Sequence, residues 1–272
     1  MSFKPVSIAA IAALLAALLL AGCGEEKEKN PNHIKVGVIV GAEQQVAEVA
    51  RQVAKNKYNL DVELVIFNDY VLPNEALNKG DIDLNAYQHK PFLEQQIQDR
   101  GYRLVVVGNT FVYPLAGYSR KITSLSELKD GDQIALPNDP SNLGRALLLL
   151  QHADLITLKE GVGLLSRIPD VTVNTHNLKL IELDAPQLPR SLDDPKIALA
   201  VINTTYASQL GLTPGKNSLF VEDKYSPYVN VIVAREDNKD ADTVKKFVQA
   251  WQSVEVSAAA NKLFNNGAVP GW

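Results

Sequence analysis

Sulfur-containing residues are almost absent from this chain of 272 residues, which has one cysteine and one methionine, Met1. A single cysteine excludes an internal disulfide framework, a cysteine zinc site and an iron–sulfur cluster. The histidines, at positions 33, 89, 152 and 176, are never paired at the spacing of metal ligands. We therefore expect neither a metal nor a cofactor.

Recognisable catalytic motifs are missing as well. The sequence has no H-E-x-x-H, no G-x-S-x-G and no Walker-type phosphate loop. Its formal net charge of −4 does not supply the basic face that nucleic acid binding requires. These absences favour a binding protein over an enzyme. A secreted two-lobed enzyme, whose carboxylates meet only in the folded chain, stays the alternative.

Residues 1–22 have the pattern of a secretory signal peptide. Lys4 is the only charged residue before Glu25, and the segment from Ile8 to Ala21 is continuously apolar. Its 14 residues would span about 21 Å as a helix, short of the roughly 30 Å of a bilayer core. The alternative, a membrane-spanning anchor, is therefore disfavoured.

The sequence Leu20-Ala-Gly-Cys23 at the end of this run resembles the lipobox of bacterial lipoproteins. There the cysteine thiol is acylated and the chain is cut just before it. Cys23 is accordingly the predicted lipidation site, with a reactive thiol as the alternative. Residues 23–33 are polar and predict a flexible tether, which would hold the protein to a membrane of the cell envelope, facing the periplasm.

Strand and helix patterns alternate along the mature chain, which predicts an α/β fold with a mostly parallel sheet. The predicted strands cover 33–40, 62–67, 82–87, 104–107, 133–136, 178–183, 197–202 and 229–234. The predicted helices cover 43–58, 70–78, 91–99, 124–128, 143–152, 204–210, 241–252 and 256–264. These are too many elements for one sheet, so we expect two lobes with a ligand cleft at the strand ends.

The lobes are predicted to divide where two aromatic, proline-containing segments, 113–118 and 224–228, lie outside the strong elements. Lobe 1 would contain residues 34–115 and 227–272, and lobe 2 residues 116–226.

Three groups of residues point to a small-molecule site. Arg145 follows Pro137-Asn-Asp-Pro-Ser-Asn-Leu-Gly at the start of a helix, where the free N–H groups and the helix dipole favour an anion. Its guanidinium could bind a carboxylate through two hydrogen bonds. A surface arginine beside an ordinary helix cap is the alternative.

The second group is aromatic, and its members are expected after the second and third strands: Tyr70, Tyr87, His89 and Phe92. Such a cluster can form either a pocket wall or part of the core.

The third group is a pair of amides, Asn203 and Asn230, next to or within apolar strands. If buried, these amides need partners, either from the protein or from a zwitterionic ligand.

Together these segments resemble the NlpA/MetQ family of lipoproteins, the substrate-binding components of the methionine ABC importer. The resemblance runs from the lipobox to Gly271-Trp272. It is carried by VGVIVGAE (36–43), FNDYVLPN (67–74), QHKPF (88–92), PNDPSNLGR (137–145) and AVINTTY (200–206).

The resemblance implies a two-lobed periplasmic-binding-protein fold, type II-like, with methionine in the interlobe cleft, and an ABC permease with its ATPase as partners. It implies that Arg145 binds the carboxylate, that Asn142, Asn203 and Asn230 contact the amino-acid head group, and that Tyr70, Tyr87, His89 and Phe92 enclose the side chain. Relatives often have Tyr at the position of Phe92, so a hydroxyl contact is not carried over there. Another apolar amino acid or a short peptide stays the alternative ligand, and the preference for L or D and the choice of membrane stay open.

Overall fold

The computed structural model describes residues 30–223, 226–265 and 267–272. The predicted signal peptide, Cys23 and the tether as far as residue 29 lie outside the described residues. The helices are α1 (Ala42–Tyr58), α2 (Leu72–Lys79), α3 (Lys90–Arg100), α4 (Pro140–His152), α5 (Leu188–Ser191), α6 (Thr204–Ala207), α7 (Asp242–Trp251) and α8 (Val254–Leu263). The strands are β1 (His33–Ile39), β2 (Asp61–Phe67), β3 (Leu84–His89), β4 (Leu104–Val112), β5 (Ala116–Tyr118), β6 (Gln133–Pro137), β7 (Ile156–Leu158), β8 (Val171–Asn174), β9 (Lys179–Leu183), β10 (Ile197–Ile202), β11 (Phe220–Val221), β12 (Val229–Arg235) and β13 (Val269–Pro270).

The larger sheet has the strand order β13-β4-β12-β3-β1-β2 within the described residues. Its β1 is almost continuously apolar because both faces are covered. On one face, Val36 and Val38 pack with α1, α7 and α8, including Trp251. On the other face, Val231 and Val233 of β12 pack with residues of α2 and α3.

The second sheet has the order β11-β5-β10-β6-β9 over the same described ranges. The leucine-rich face of α4, with Leu143, Leu147 and Leu150, packs on one side of it. Leu188 and Tyr206, from α5 and α6, belong to the apolar cluster on the other side. The chain enters this sheet between β4 and β5 and leaves it between β11 and β12. The residue limits of the two lobes stay a prediction.

Two sequence-based expectations are wrong in detail. The sheets are mixed rather than mostly parallel, because β12 runs antiparallel to β3 and β4, and β5 runs antiparallel to β10. The third strand begins at Leu84, not Ile82, and continues to His89 because its last residues pair with β12. Tyr87 and His89 therefore lie in the strand instead of after it.

Several short elements had no sequence signal. Strands β5, β7, β8, β11 and β13 and helix α5 have two to four residues each, too few for a hydrophobic period to be visible. Most of the longer elements lie within three residues of their predicted limits, but β4 continues to Val112, five residues beyond its predicted end at Val107. In the described part of the chain, no helix combines the length and the apolar character needed to cross a bilayer.

Candidate functional site

The ends of strands from both sheets border one cavity. All eight residues predicted for the ligand site line it: Tyr70, Tyr87, His89, Phe92, Asn142, Arg145, Asn203 and Asn230. The cavity is also lined by Glu43, Gln88, Tyr113, Thr204 and Thr205.

Helix α4 supplies Asn142 and Arg145. Its cap is Asp139, whose carboxylate accepts a hydrogen bond from the backbone N–H of Asn142 (2.9 Å), and Pro140 occupies the first helical position. The helix therefore begins three residues earlier than predicted. Gly144 lets this helix approach the neighbouring turn closely, since a Cβ there would lie 2.1 Å from the carbonyl oxygen of Leu164.

Arg145 is buried and already held by the protein. Its Nε donates to Oε1 of Glu222 (2.9 Å), and its Nη2 donates to Oε2 of Glu222 and to the carbonyl oxygen of Tyr113 (3.0 Å). The ring centre of Tyr228 lies 4.4 Å from the guanidinium carbon. The two-nitrogen fork predicted for a ligand carboxylate thus faces Glu222, and no described residue accepts a hydrogen bond from Nη1.

The aromatic residues form a continuous wall. The ring centres of Tyr70 and Phe92 are 6.0 Å apart, and those of Tyr87 and Phe92 are 6.2 Å apart, with the rings edge to face. The hydroxyl of Tyr87 donates to the carbonyl oxygen of Tyr70 (2.9 Å), which fixes the loop before α2. Tyr87 and Phe92 also pack with Ile39 in the core, so they belong to the cavity wall and to the core at once.

His89 is the last residue of β3 and the cap of α3. Its Nδ1 accepts from the backbone N–H of Phe92 (3.1 Å), so its Nε2 carries the hydrogen that points to Oδ1 of Asn142 (3.1 Å). Burial, assisted by the nearby positive charge of Arg145, lowers the pKa of His89 to about 3. The imidazole is therefore neutral at neutral pH.

The three asparagines have different hydrogen-bond states. Oδ1 of Asn142 accepts from His89 and from Nδ2 of Asn203 (2.8 Å), while its Nδ2 donates to both carboxylate oxygens of Asp139. The Asn142 amide is thus fully used by the protein. By contrast, Oδ1 of Asn203 is buried with no hydrogen-bond partner among the described residues. Nδ2 of Asn230 donates to Oε1 of Glu43 (3.1 Å) and to the carbonyl oxygen of Tyr87 (3.2 Å).

The sequence interpretation missed Glu43 and Glu222. Glu43 is 2% exposed and lies in the first turn of α1, on the face that also carries Val46, Ala47 and Ala50. The spacings of three, four and seven residues place the Glu43 carboxylate on the apolar face of the helix. Helical periodicity could therefore have identified it as a buried acid. Glu222 has no such signal, because it reaches Arg145 only through the tertiary fold. In the described ranges, no group of three or more His, Cys, Asp and Glu residues is arranged to hold a metal ion.

Two mixed sheets with a polar and aromatic cavity at their strand ends are typical of a bilobal ligand-binding protein. The sequence pattern of the NlpA lipoprotein family matches residues 34–272, and the chain belongs to this family. The predicted resemblance is thereby confirmed.

The chain is also similar in sequence to individual proteins of this family. The chain is 75% identical, over the full length of both proteins, to the D-methionine-binding lipoprotein MetQ of Yersinia pestis. It is 60% identical to lipoprotein 28 of Escherichia coli K12, over 96% of each chain.

Solved structures of related proteins have the same fold as this chain. A crystal structure of the methionine-binding protein MetQ superposes with a TM-score of 0.89 at 75% identity, covering 89% of this chain and 99% of that one. A periplasmic substrate-binding protein of an ABC transporter from Coxiella burnetii gives 0.84 at 49% identity, covering 88% and 100%. A nutrient-binding protein from Burkholderia cenocepacia, bound to methionine, gives 0.85 at 45% identity with the same coverage. The predicted two-lobed periplasmic-binding-protein fold is confirmed.

Proposed function

We propose that this chain is the methionine-binding lipoprotein of an ABC importer and that it binds methionine in the cavity bordered by Arg145 and the aromatic wall. The observation that carries the proposal is the meeting of all eight sequence-predicted residues around one cavity. The MetQ relatives and the methionine-bound neighbour support the choice of ligand.

The two ends of the cavity suit the two ends of methionine. Arg145 attracts the carboxylate, and Nη1 is the guanidinium nitrogen left to bind it. Asn203 and Asn230 also line the cavity, and Oδ1 of Asn203 has no partner among the described residues. Their side-chain amides contact the amino-acid head group. At the other end, Tyr70, Tyr87 and Phe92 surround the thioether, which gains from contact with ring edges.

The route to the permease follows from the amino-terminal sequence. Cleavage before Cys23 and acylation of its thiol hold the protein to an envelope membrane on the periplasmic side, with the predicted tether of residues 23–33 between the lipid and the fold. Closure of the two lobes around the ligand presents methionine to the permease, whose ATPase drives import. The protein itself performs no chemistry on methionine.

A melting-temperature screen against the L and D amino acids tests the proposal, after unfolding and refolding to remove any copurified ligand. Ligand at 100 times its dissociation constant should add about 2.7 kcal/mol to the free energy of unfolding. We expect the largest shift with methionine, which should be recovered unchanged. A larger shift with another amino acid, or conversion of methionine to a product, would contradict the proposal.

A further inference from the structure

Glu43 is a carboxylic acid buried beside the cavity with half of its hydrogen-bonding capacity unused. Its Oε1 accepts from Nδ2 of Asn230 (3.1 Å), and its Oε2 has no partner among the described residues. The side chain is 2% exposed, so water does not solvate it freely. A buried ionised carboxylate without a cation is costly, and such a group binds a proton instead.

The charged and titratable groups around Glu43 do not supply that cation. The groups that face it are the phenols of Tyr70, Tyr113 and Tyr206, each of which interacts with it electrostatically. His89 is neutral, and Arg145 is paired with Glu222. Two further carboxyl groups, Asp69 and Asp139, also act on the phenol of Tyr206. Asp139 accepts hydrogen bonds from Ser141 and Asn142, and Asp69 accepts from the backbone N–H groups of residues 71 and 72.

Burial raises the pKa of Glu43 to about 8, against a smaller lowering by the nearby hydroxyl of Thr205. That hydroxyl is close enough to stabilise the ionised carboxylate but does not form a hydrogen bond of ordinary geometry with Oε2. The group is therefore mainly protonated at neutral pH.

The cavity contains a second buried acceptor without a protein partner, Oδ1 of Asn203. An amino acid carries one group that only donates hydrogen bonds, its ammonium, with three N–H donors. The carboxylate end of the same ligand is matched by Arg145. Oδ1 of Asn203 and, once its proton has left, Oε2 of Glu43 are two acceptors for an ammonium group. Together with Nη1 of Arg145 in the same cavity, they match the two charged ends of a zwitterion and not a simple anion.

We infer that Glu43 is the acceptor for the α-ammonium group of the ligand and that it releases its proton when that group binds. The inference rests on the proposed function and specifies how the amino end of methionine is recognised. The ammonium replaces the proton as the positive partner of the carboxylate, so the proton leaves to solvent. Because the bound form then has fewer protons than the free form, the affinity for methionine rises with pH until Glu43 is ionised in the free protein as well.

Titration calorimetry of the whole mature chain with L-methionine tests this, at about pH 7 in phosphate and in Tris, two buffers that differ in ionisation heat. The difference between the observed heats gives the number of protons exchanged. We expect a release of about one proton per methionine. Methionine binding with no release would overturn the inference and leave the proposed function intact, whereas no methionine binding in either buffer would overturn both.

Glu43→Gln keeps the shape and the bond from Asn230 but cannot ionise. We expect it to release no proton and to bind methionine at least about tenfold more weakly. The matched control is Glu48→Gln on the same helix, because Glu48 is half-exposed and pairs with Arg51; it should behave as the unchanged protein does. If Glu43→Gln still released the proton, another group would be its source and the inference would be wrong.

A ligand experiment avoids any effect of the variant on folding. The analogue 4-(methylthio)butanoate has the carboxylate and thioether of methionine but no amino group. The unchanged protein should bind it more weakly than methionine and without releasing a proton. Equal affinity for the analogue and for methionine would show that Glu43 does not recognise an ammonium group.

Discussion

The guanidinium of Arg145 and the carboxylate of Glu222 form an ion pair in which both oxygens of Glu222 accept from the arginine. Oε2 of Glu222 also accepts from the backbone N–H of Leu115 (3.1 Å). Leu115 and Glu222 lie in the two connections between the sheets. The residue proposed to bind the ligand carboxylate is thereby fixed to both connections, and its charge is compensated within the protein.

Removing the charge of Glu222 should destabilise the protein and increase the stabilisation that it gains from bound methionine. Glu222→Gln leaves a buried guanidinium uncompensated, which costs about 3 kcal/mol or more in the free energy of unfolding. Methionine brings a carboxylate to the same guanidinium, so we expect it to raise the melting temperature of this variant more than that of the unchanged protein. Thermal unfolding with and without methionine measures both effects.

Glu75→Gln is the control for that experiment, since Glu75 forms an exposed pair with Lys79 on α2. It should leave the melting temperature and the methionine-induced shift unchanged. An equal methionine-induced shift in Glu222→Gln and in the unchanged protein would mean that the ligand carboxylate does not reach Arg145.

Replacing Arg145 should weaken methionine binding strongly. A hydrogen bond to a charged group contributes about 1.5–3 kcal/mol, so losing the one from Nη1 in Arg145→Ala should cost roughly one to two decades in affinity. Arg145→Lys keeps a positive charge but loses the planar fork that Glu222 holds, so most of the loss should persist. Calorimetry with methionine and with its methyl ester checks the assignment, because the unchanged protein should bind the ester poorly. Equal binding of ester and acid would contradict it.

The aromatic wall should determine selectivity for the side chain of the ligand. Tyr70→Ala removes a ring whose centre lies 5.8 Å from that of Tyr87. We expect a loss of methionine affinity of roughly two- to tenfold from sulfur–ring contact, with further loss from reduced burial, and a smaller loss for glycine. Tyr102→Ala, a partly buried tyrosine packed in a different apolar cluster, should leave the ratio of the two affinities unchanged. If Tyr70→Ala weakened methionine and glycine equally, the ring would be only a core residue.

His89 and Glu43 should have opposite effects on the dependence of stability on pH. The pKa of His89 falls from 6.5 to about 3 on folding, so between these values the unfolded chain binds more protons and stability rises with pH. The pKa of Glu43 rises from 4.5 to about 8, so between these values the folded chain binds more protons and stability falls with pH. From about pH 4.5 to 6.5 the two contributions should cancel.

Variants should separate these contributions. Relative to the unchanged protein, His89→Asn should lower the slope of the free energy of unfolding against pH by about 1.4 kcal/mol per pH unit in this window, while Glu43→Gln should raise it by the same amount. Asparagine suits position 89 because it can still cap α3. Urea unfolding at several pH values gives the slopes. The control is His152→Asn, at an exposed position, which should leave the slope unchanged. An unchanged slope in His89→Asn would mean that burial of His89 does not contribute to the dependence of stability on pH.

The sequence was informative where a pattern is local or repeated. The periodicity of α1 and the apolar run of β1 predict those elements within a residue. The turn from Pro137 to Arg145 identifies the start of a helix beside the cavity. The shared cavity was predictable because residues at the ends of neighbouring strands meet at one edge of a sheet.

Contacts between distant residues were not predictable from these patterns. Asn230 and Glu43 are 187 positions apart, and Arg145 and Glu222 are 77 apart. Only the fold brings each pair together, and it changes what the predicted residues can offer a ligand. In the folded chain, Nε and Nη2 of Arg145 already donate to the carboxylate of Glu222. Oδ1 of Asn203, by contrast, has no hydrogen-bond partner among the described residues. The direction of β12 likewise depends on the return of the chain from the second sheet.

The placement of the two tryptophans has an optical consequence. Trp251 is buried against Phe247 in the core of the larger sheet, and Trp272 lies edge to face with Phe111. Neither is among the residues that line the proposed methionine cavity. Light that excites only tryptophan should therefore report unfolding of that core and stay nearly silent when methionine binds. Tyrosine absorbance, from the rings of the cavity wall, should respond to the ligand, so one sample can report both processes at separate wavelengths.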